Sequence, residues 1–345
     1  MQFRLIFCAL AGLAACRPAG SGKQPARQAP AAAGQAPPAI EHPPAAMSHG
    51  EAAVGTPSEP VEHTADAPPR STTRHHYIRF ETRHAIHLIS QGRPYDAWTF
   101  NGQVPGPMLR VTVGDTVDFT IVNKAPIPHS MDFHAAEIAP SRAYVNVLPN
   151  DSLQYRFVAR VPGAFLYHCG TAPVAAHIAN GMYGALIVDP VRPRPPAKEI
   201  VLVQSEFYLG PRHGPDSVSS LDWQHMLDLA PNYVVFNGVA NQYAAHPLEV
   251  KVNQPLRIYL VNAGPNRVSA FHVVGAIFDR VFLDATDTPL RGVQTFSVPV
   301  GGGMIFETHL AEAGIYPFVS HAFADATKGA VGMFKAGDVR GAMSH

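Results

Sequence analysis

The sequence predicts an all-β protein, with two β-sandwich domains in tandem behind a disordered N-terminal tether. Short runs rich in β-branched and aromatic residues recur from about residue 72 onward, separated by turn residues, as sandwich strands do. Pro (33) and Gly (28) are abundant, which disfavours long helices. The runs also fall into two sets that copy each other. Phe100-Asn-Gly102 leads to Val113-Gly-Asp-Thr-Val-Asp-Phe-Thr-Ile-Val-Asn123, and Phe236-Asn-Gly238 leads to Val252-Asn-Gln-Pro-Leu-Arg-Ile-Tyr-Leu-Val-Asn262. Further on, Phe165-Leu-Tyr-His168 matches Phe318-Val-Ser-His321. A repeat of this length is a duplicated domain, not a solenoid.

Taken in order, residues 1–16 (MQFRLIFCALAGLAAC) carry one positive charge, an apolar run and small residues before a cysteine. That is an export signal, since a spanning helix needs about 20 apolar residues. Leu13-Ala-Ala-Cys16 also resembles a bacterial lipoprotein signal, in which the cysteine is acylated. Residues 17–71 are rich in Pro, Ala, Gly and Gln and hold almost nothing large to bury, so they are expected to form a disordered linker; His42, His49 and His63 lie in it. The first sandwich is expected over 72–190. The proline-rich joint Val191-Arg-Pro-Arg-Pro-Pro-Ala197 follows it, and the second sandwich is expected over 197–337. Ser219 to Leu229 reads as one short helix capped by a serine.

The formal net charge is zero and only 15% of residues are charged, so nothing electrostatic argues for nucleic acid or an acidic partner. Of three cysteines, Cys8 and Cys16 belong to the signal. The folded part therefore holds one thiol, Cys169, and no internal disulfide. An exported protein with a lone thiol either hides it or uses it.

The stretch Tyr167-His-Cys-Gly-Thr-Ala-Pro-Val-Ala-Ala-His-Ile-Ala-Asn-Gly-Met182 suggests use. Cys169, His177 and Met182 offer a thiolate, an imidazole and a thioether, the soft mixed set that suits copper cycling between two oxidation states. The second imidazole is assigned to His129, in Pro128-His-Ser-Met-Asp-Phe-His134. In the repeat Cys169 falls opposite Ala322, and the second half has no counterpart of His177 or Met182, whereas His168 and His321 remain paired. Successive side chains on a strand face opposite ways, so His168 and Cys169 should address different places. His129 and His134, an odd number apart, should diverge likewise unless a bulge intervenes. With His321 from the second domain, His134 and His168 can then hold another metal and leave a position open for substrate.

Over about residues 75–337 these motifs resemble the copper-containing nitrite reductases. The resemblance implies two cupredoxin-like Greek-key domains and two coppers per chain, a type 1 copper on His129, Cys169, His177 and Met182 and a type 2 copper on His134, His168 and His321. It implies reduction of nitrite to nitric oxide, with the electron passing from type 1 to type 2 copper and supplied by a small cupredoxin or cytochrome c. It also implies a homotrimer in which His321 comes from a neighbouring chain. With the export signal, the expected location is the periplasm or, through Cys16, a lipid anchor on the outer membrane. Asp132 matches the family's catalytic aspartate and lies two residues before His134, on the same side of an extended strand. A second proton-handling histidine aligns with Ile277 here, and the nearby His272 aligns with His129 in the repeat and reads as a retained core residue. Two other readings stand beside this one: a laccase-like two-domain multicopper oxidase, and a non-catalytic blue-copper electron carrier.

Overall fold

The computed structural model describes residues 60, 63–212, 214 and 217–339. The expected export signal, with Cys8 and Cys16, and the tether histidines His42 and His49 lie outside the described residues.

Residues 75–189 build two four-stranded sheets. One runs β2 (Arg93–Phe100), β1 (His75–Ser90), β4 (Thr116–Asn123), β6 (Ser152–Val158). The other runs β3 (Leu109–Thr112), β8 (Tyr183–Asp189), β7 (Gly163–His168), β5 (Asp132–Phe133). Pairs β1–β4 and β3–β8 are parallel, so the chain crosses between the sheets instead of folding back in simple hairpins. Residues 198–336 build two five-stranded sheets: β10 (Tyr233–Phe236), β9 (Lys198–Phe207), β12 (Leu256–Gly264), β16 (Gly303–Thr308), β14 (Arg280–Leu283); and β11 (Leu248–Val250), β18 (Val331–Ala336), β17 (Gly314–Ser320), β13 (Ser269–Val273), β15 (Thr295–Val298). Among the described residues five short helices sit in the connections: α1 (Pro140–Ala143), α2 (Val174–Ala179), α3 (Trp223–Leu227), α4 (Gln242–Ala245) and α5 (Phe323–Thr327). None is long and apolar enough to cross a membrane.

Strand β7 positions the chemistry. Every residue from Gly163 to His168 is buried, because both faces of the strand are covered. Phe165, Tyr167 and, just beyond the strand, Cys169 point into the core of the first sandwich with Phe119, Phe133 and Leu186. Ala164 and Leu166 point the other way, into an apolar layer shared with Val201, Tyr259 and Ile305 of the second. The run is apolar without alternation for this reason. Gly184 on β8 is required by the same packing: a Cβ there would stand 2.2 Å from the Tyr167 hydroxyl, which donates to Pro107 O at 2.6 Å.

The repeat is visible in the backbone. Asn101-Gly102 (φ 57° and 78°) and Asn237-Gly238 (φ 53° and 82°) make the same left-handed turn, one that Asn and Gly tolerate best. Asn123 donates to Ile127 O and Val147 O, and Asn262 donates to Arg267 O and Val298 O, each tying down the loop after its strand.

Three expectations change. The linker expected to run disordered to residue 71 is ordered over its last described stretch. The Asp66 backbone bridges Ile200, Val201 N donates to Ala65 O at 2.7 Å, and Ala67 N donates to Glu199 O at 3.1 Å. The half of β9 that β10 leaves unpaired has an open edge, and this segment satisfies it while burying Ala65. The helix expected over Ser219–Leu229 shrinks to α3, and its cap is Asp222, whose carboxylate accepts from His225 N, not a serine. Finally β5 and β14, too short or too mixed to stand out, add an edge strand to each half.

Candidate metal centres

The first centre lies inside the first sandwich, at the end of β7. His129 Nδ1 and His177 Nδ1 stand 3.1 Å apart, and Cys169 Sγ is 3.2 Å from the second and 3.9 Å from the first. All three residues are buried. Helix α2, not expected from the sequence, turns His177 inward. The loop closes through Met182, whose carbonyl accepts from Cys169 N (3.0 Å) and whose amide donates to His177 O (3.1 Å). Its side chain is fully buried in the same core as Cys169. The Ser130 amide donates to Cys169 Sγ at 3.3 Å, the kind of bond that tunes a metal–thiolate potential. Trp98, from β2, lies edge-on to His177 (4.9 Å between rings) and stacks on His84 (5.3 Å), so it covers the two imidazoles.

Burial holds His129 at about pKa 2 and His177 at about 4, so both are neutral and keep a lone pair for a cation. Burial pushes the Cys169 thiol up, partly offset by the Ser130 and Thr171 bonds. His129 Nε2 is buried with no hydrogen-bond partner, while the converging atoms, His129 Nδ1, His177 Nδ1 and Cys169 Sγ, meet one another, the sulfur also accepting from Ser130 N. Two imidazoles, a thiol and a nearby thioether form a donor set that suits copper.

The second cluster lies on the other side of β7. His134 Nε2 and His168 Nε2 are 3.1 Å apart, and Asp132 Oδ2 is 3.7 Å from His168 Nε2. Asp132 is paired directly opposite His168 across β5 and β7. His168 Nδ1 donates to Cys169 O at 2.8 Å, which leaves its Nε2 free as an acceptor. The Gly301 carbonyl accepts from His134, so that ring too aims Nε2 at the gap. Burial, and then the neighbouring His168, lower the His134 pKa. Tyr144 hydrogen-bonds Asp132, and burial together with that carboxylate raises its hydroxyl above the ordinary tyrosine range. Ser130, Tyr144 and Trp98 left no signal in the sequence, since each acts only through its place in the fold.

His321 does not join this pair within the chain. It is exposed, at the end of β17, with its ring 5.5 Å from that of His272 and 4.7 Å from that of Phe323. The reading of His272 as a retained core residue is therefore wrong. His272 is partly exposed and donates Nδ1–H to Gln294 O at 2.6 Å, leaving Nε2 free beside His321. Ile277 sits in the turn beyond β13, 55% exposed. Matching His272 to His129 by sequence missed this, because a shared strand position says nothing about which face has kept its core.

Residues 83–193 match the multicopper oxidase family model. The chain is 38% identical over 264 residues to a copper-containing nitrite reductase of Neisseria meningitidis, covering 75% of this chain and 68% of that one. It is 32% identical to the copper-containing nitrite reductase of Pseudomonas chlororaphis over 72% and 74%. The chain belongs to the copper-containing nitrite reductase family. The structure of a copper nitrite reductase from Nitrosomonas europaea superposes with a TM-score of 0.70 at 34% identity, over 76% of this chain and 94% of that one. A multicopper oxidase superposes at 0.67 and 27% identity. Among nitrite reductases of this family, the present chain thus brings two imidazole-containing clusters to opposite sides of one strand.

Proposed function

We propose that the protein reduces nitrite to nitric oxide and water, consuming one electron and two protons per turnover. The observation that carries this is the adjacency of His168 and Cys169: bonded neighbours whose side chains enter two separate clusters. When bound, copper would supply one-electron transfer at His129, Cys169, His177 and Met182, and an open coordination position at His134, His168 and His321. The peptide linking residues 168 and 169 is then the covalent route between the centres.

The chain's own residues supply the rest. Asp132, whose Oδ2 lies 3.7 Å from His168 Nε2, is the carboxyl placed to relay a proton at this cluster. His272, with its free nitrogen beside His321, is the second proton-handling group, a role the sequence had left empty at Ile277. His321 is exposed and lies outside the cluster of His134 and His168, which favours its donation to a second copy and a trimeric assembly. The exposed Phe323, two residues beyond it, and the exposed Val274 and Ile277 just beyond β13 suit a subunit contact. Export, a lipid anchor at Cys16 and a small cupredoxin or cytochrome c as donor complete the reading, all from sequence and family resemblance.

Anaerobic assay of the copper-loaded protein with nitrite and an artificial reductant, following nitric oxide directly, tests this. Nitric oxide release at two coppers per chain is expected. Four coppers per chain with oxygen uptake would replace the reading with the laccase-like oxidase, although the chain has no His-x-His pair. One blue copper and no product would leave the electron carrier.

A further inference from the structure

Behind α5, the helix that immediately follows His321, lies a polar network the mechanism above does not use. Asp325 is 1% exposed, and one of its oxygens, Oδ1, meets Arg267 Nε and Nη2, each at 3.1 Å. Its other oxygen is buried with no partner. The turn bearing Arg267 is held in turn by Glu206, also 1% exposed: Glu206 Oε1 accepts from Asn266 N (3.0 Å) and Arg267 N (2.5 Å), and Oε2 accepts from the Tyr208 hydroxyl. Asn266 Nδ2 closes the ring on Tyr208 Oη at 2.9 Å. Tyr208 packs against Ala179, two residues beyond His177.

Burying two carboxylates beside a part-exposed guanidinium contributes little net stability, since an apolar cluster of equal volume is often as stable or more so. What such a network adds is direction. Arg267 grips α5 one turn past His321, while the His321 amide is fixed to Ala270 O at 2.6 Å, so both ends of the segment carrying the imidazole are tied to the loop before β13 and the start of that strand.

We propose that Asp325, gripped by Arg267 and through it by Glu206, is a positioning residue that fixes the direction in which His321 presents its imidazole. The inference rests on the reading of His321 as a metal ligand. The network also links the helix of His177 to the helix that follows His321.

The test compares full-length, copper-loaded wild type with Asp325→Asn, Asp325→Glu and Arg267→Ala. Asp325→Asn and Arg267→Ala should keep the visible absorption of the first centre, while the affinity for the second copper falls about 10- to 100-fold and its electron paramagnetic resonance signal broadens. KM for nitrite should shift with that loss, and Asp325→Glu should restore part of it. If second-copper affinity and spectrum stay at wild-type values while only the melting temperature drops, the network is merely structural and the proposal is wrong. If wild type itself binds one copper per chain, the ligand role of His321 fails instead. Amide hydrogen exchange over residues 321–327 then decides: faster exchange in Asp325→Asn upholds the positioning role, and unchanged exchange overturns it.

Discussion

The two sandwiches share their turns and their buried asparagines, and they part company in one loop. In the first, the chain leaves β7 at Cys169, winds through α2 and returns at Met182 to start β8. In the second, it leaves β17 at His321, winds through α5 and returns at Ala330 to start β18. Ala322 and Ala330 stand at the two ends where the first loop has its thiol and its thioether. The cores tolerate this because Phe271, Phe306 and Phe318 fill the second sandwich as Phe119, Phe133 and Tyr167 fill the first. Scaffold and chemistry are thus specified by different residues, and the chemistry can be lost without losing the fold.

The sharpest way to break the comparison is to exchange the loop residues themselves. Cys169→Ala should abolish the intense visible band completely, whereas Ala322→Cys should create none, because the second loop has no second donor to match His177. A blue species in Ala322→Cys would show that a thiol alone suffices. Next come the imidazoles that the second domain has kept. His272→Asn should lower kcat for nitrite by about 10²- to 10⁴-fold, the range of a lost general acid, with the blue band intact. Ile277→His should leave the pH profile of turnover unchanged; a moved profile would return the proton-handling role to that position.

A third test uses acid. Among the described residues every buried histidine, His87, His129, His168 and His177, lies in the first domain. His87 donates to Gly238 O across the domain boundary at 2.7 Å, and burial depresses it from 6.5 to about 4. Folded His87 is neutral where the unfolded residue takes up a proton. Its contribution is therefore fully present above about pH 6.5 and is lost as the pH falls towards 4, amounting to about 3 kcal/mol at the acid end. Urea unfolding at pH 7.5 and 4.5 should show His87→Gln losing correspondingly less stability than wild type. Equal losses would place the acid sensitivity elsewhere.

The smallest expected effect tests the likeness of the two halves rather than their difference. Asn123→Ala and Asn262→Ala each strand two loop carbonyls and should each cost about 2 kcal/mol by chemical denaturation. Clearly unequal costs would mean that the two loops no longer depend on the same device.

The fold was legible because alternation, turn residues and the repeated Asn-Gly all point the same way. The placement of His168 and Cys169 on opposite sides of one strand was legible too, since it follows from backbone geometry alone. What escaped was whatever depends on approach from elsewhere in the fold. Trp98 covers His177 from β2, and Gly301 orients His134 from the second domain. Ala65 enters a core the sequence places far from it, because an alanine in a Pro- and Ala-rich stretch carries no mark of the open strand edge it will fill.

The outward-facing His321 has a consequence for genetics. On the proposed reading, a chain carrying His134→Ala still offers an intact imidazole to its neighbour, and a chain carrying His321→Ala still holds an intact pair. Two preparations that are each dead alone should regain part of their turnover when unfolded together and reassembled, a complementation that a chain completing its own cage could not give.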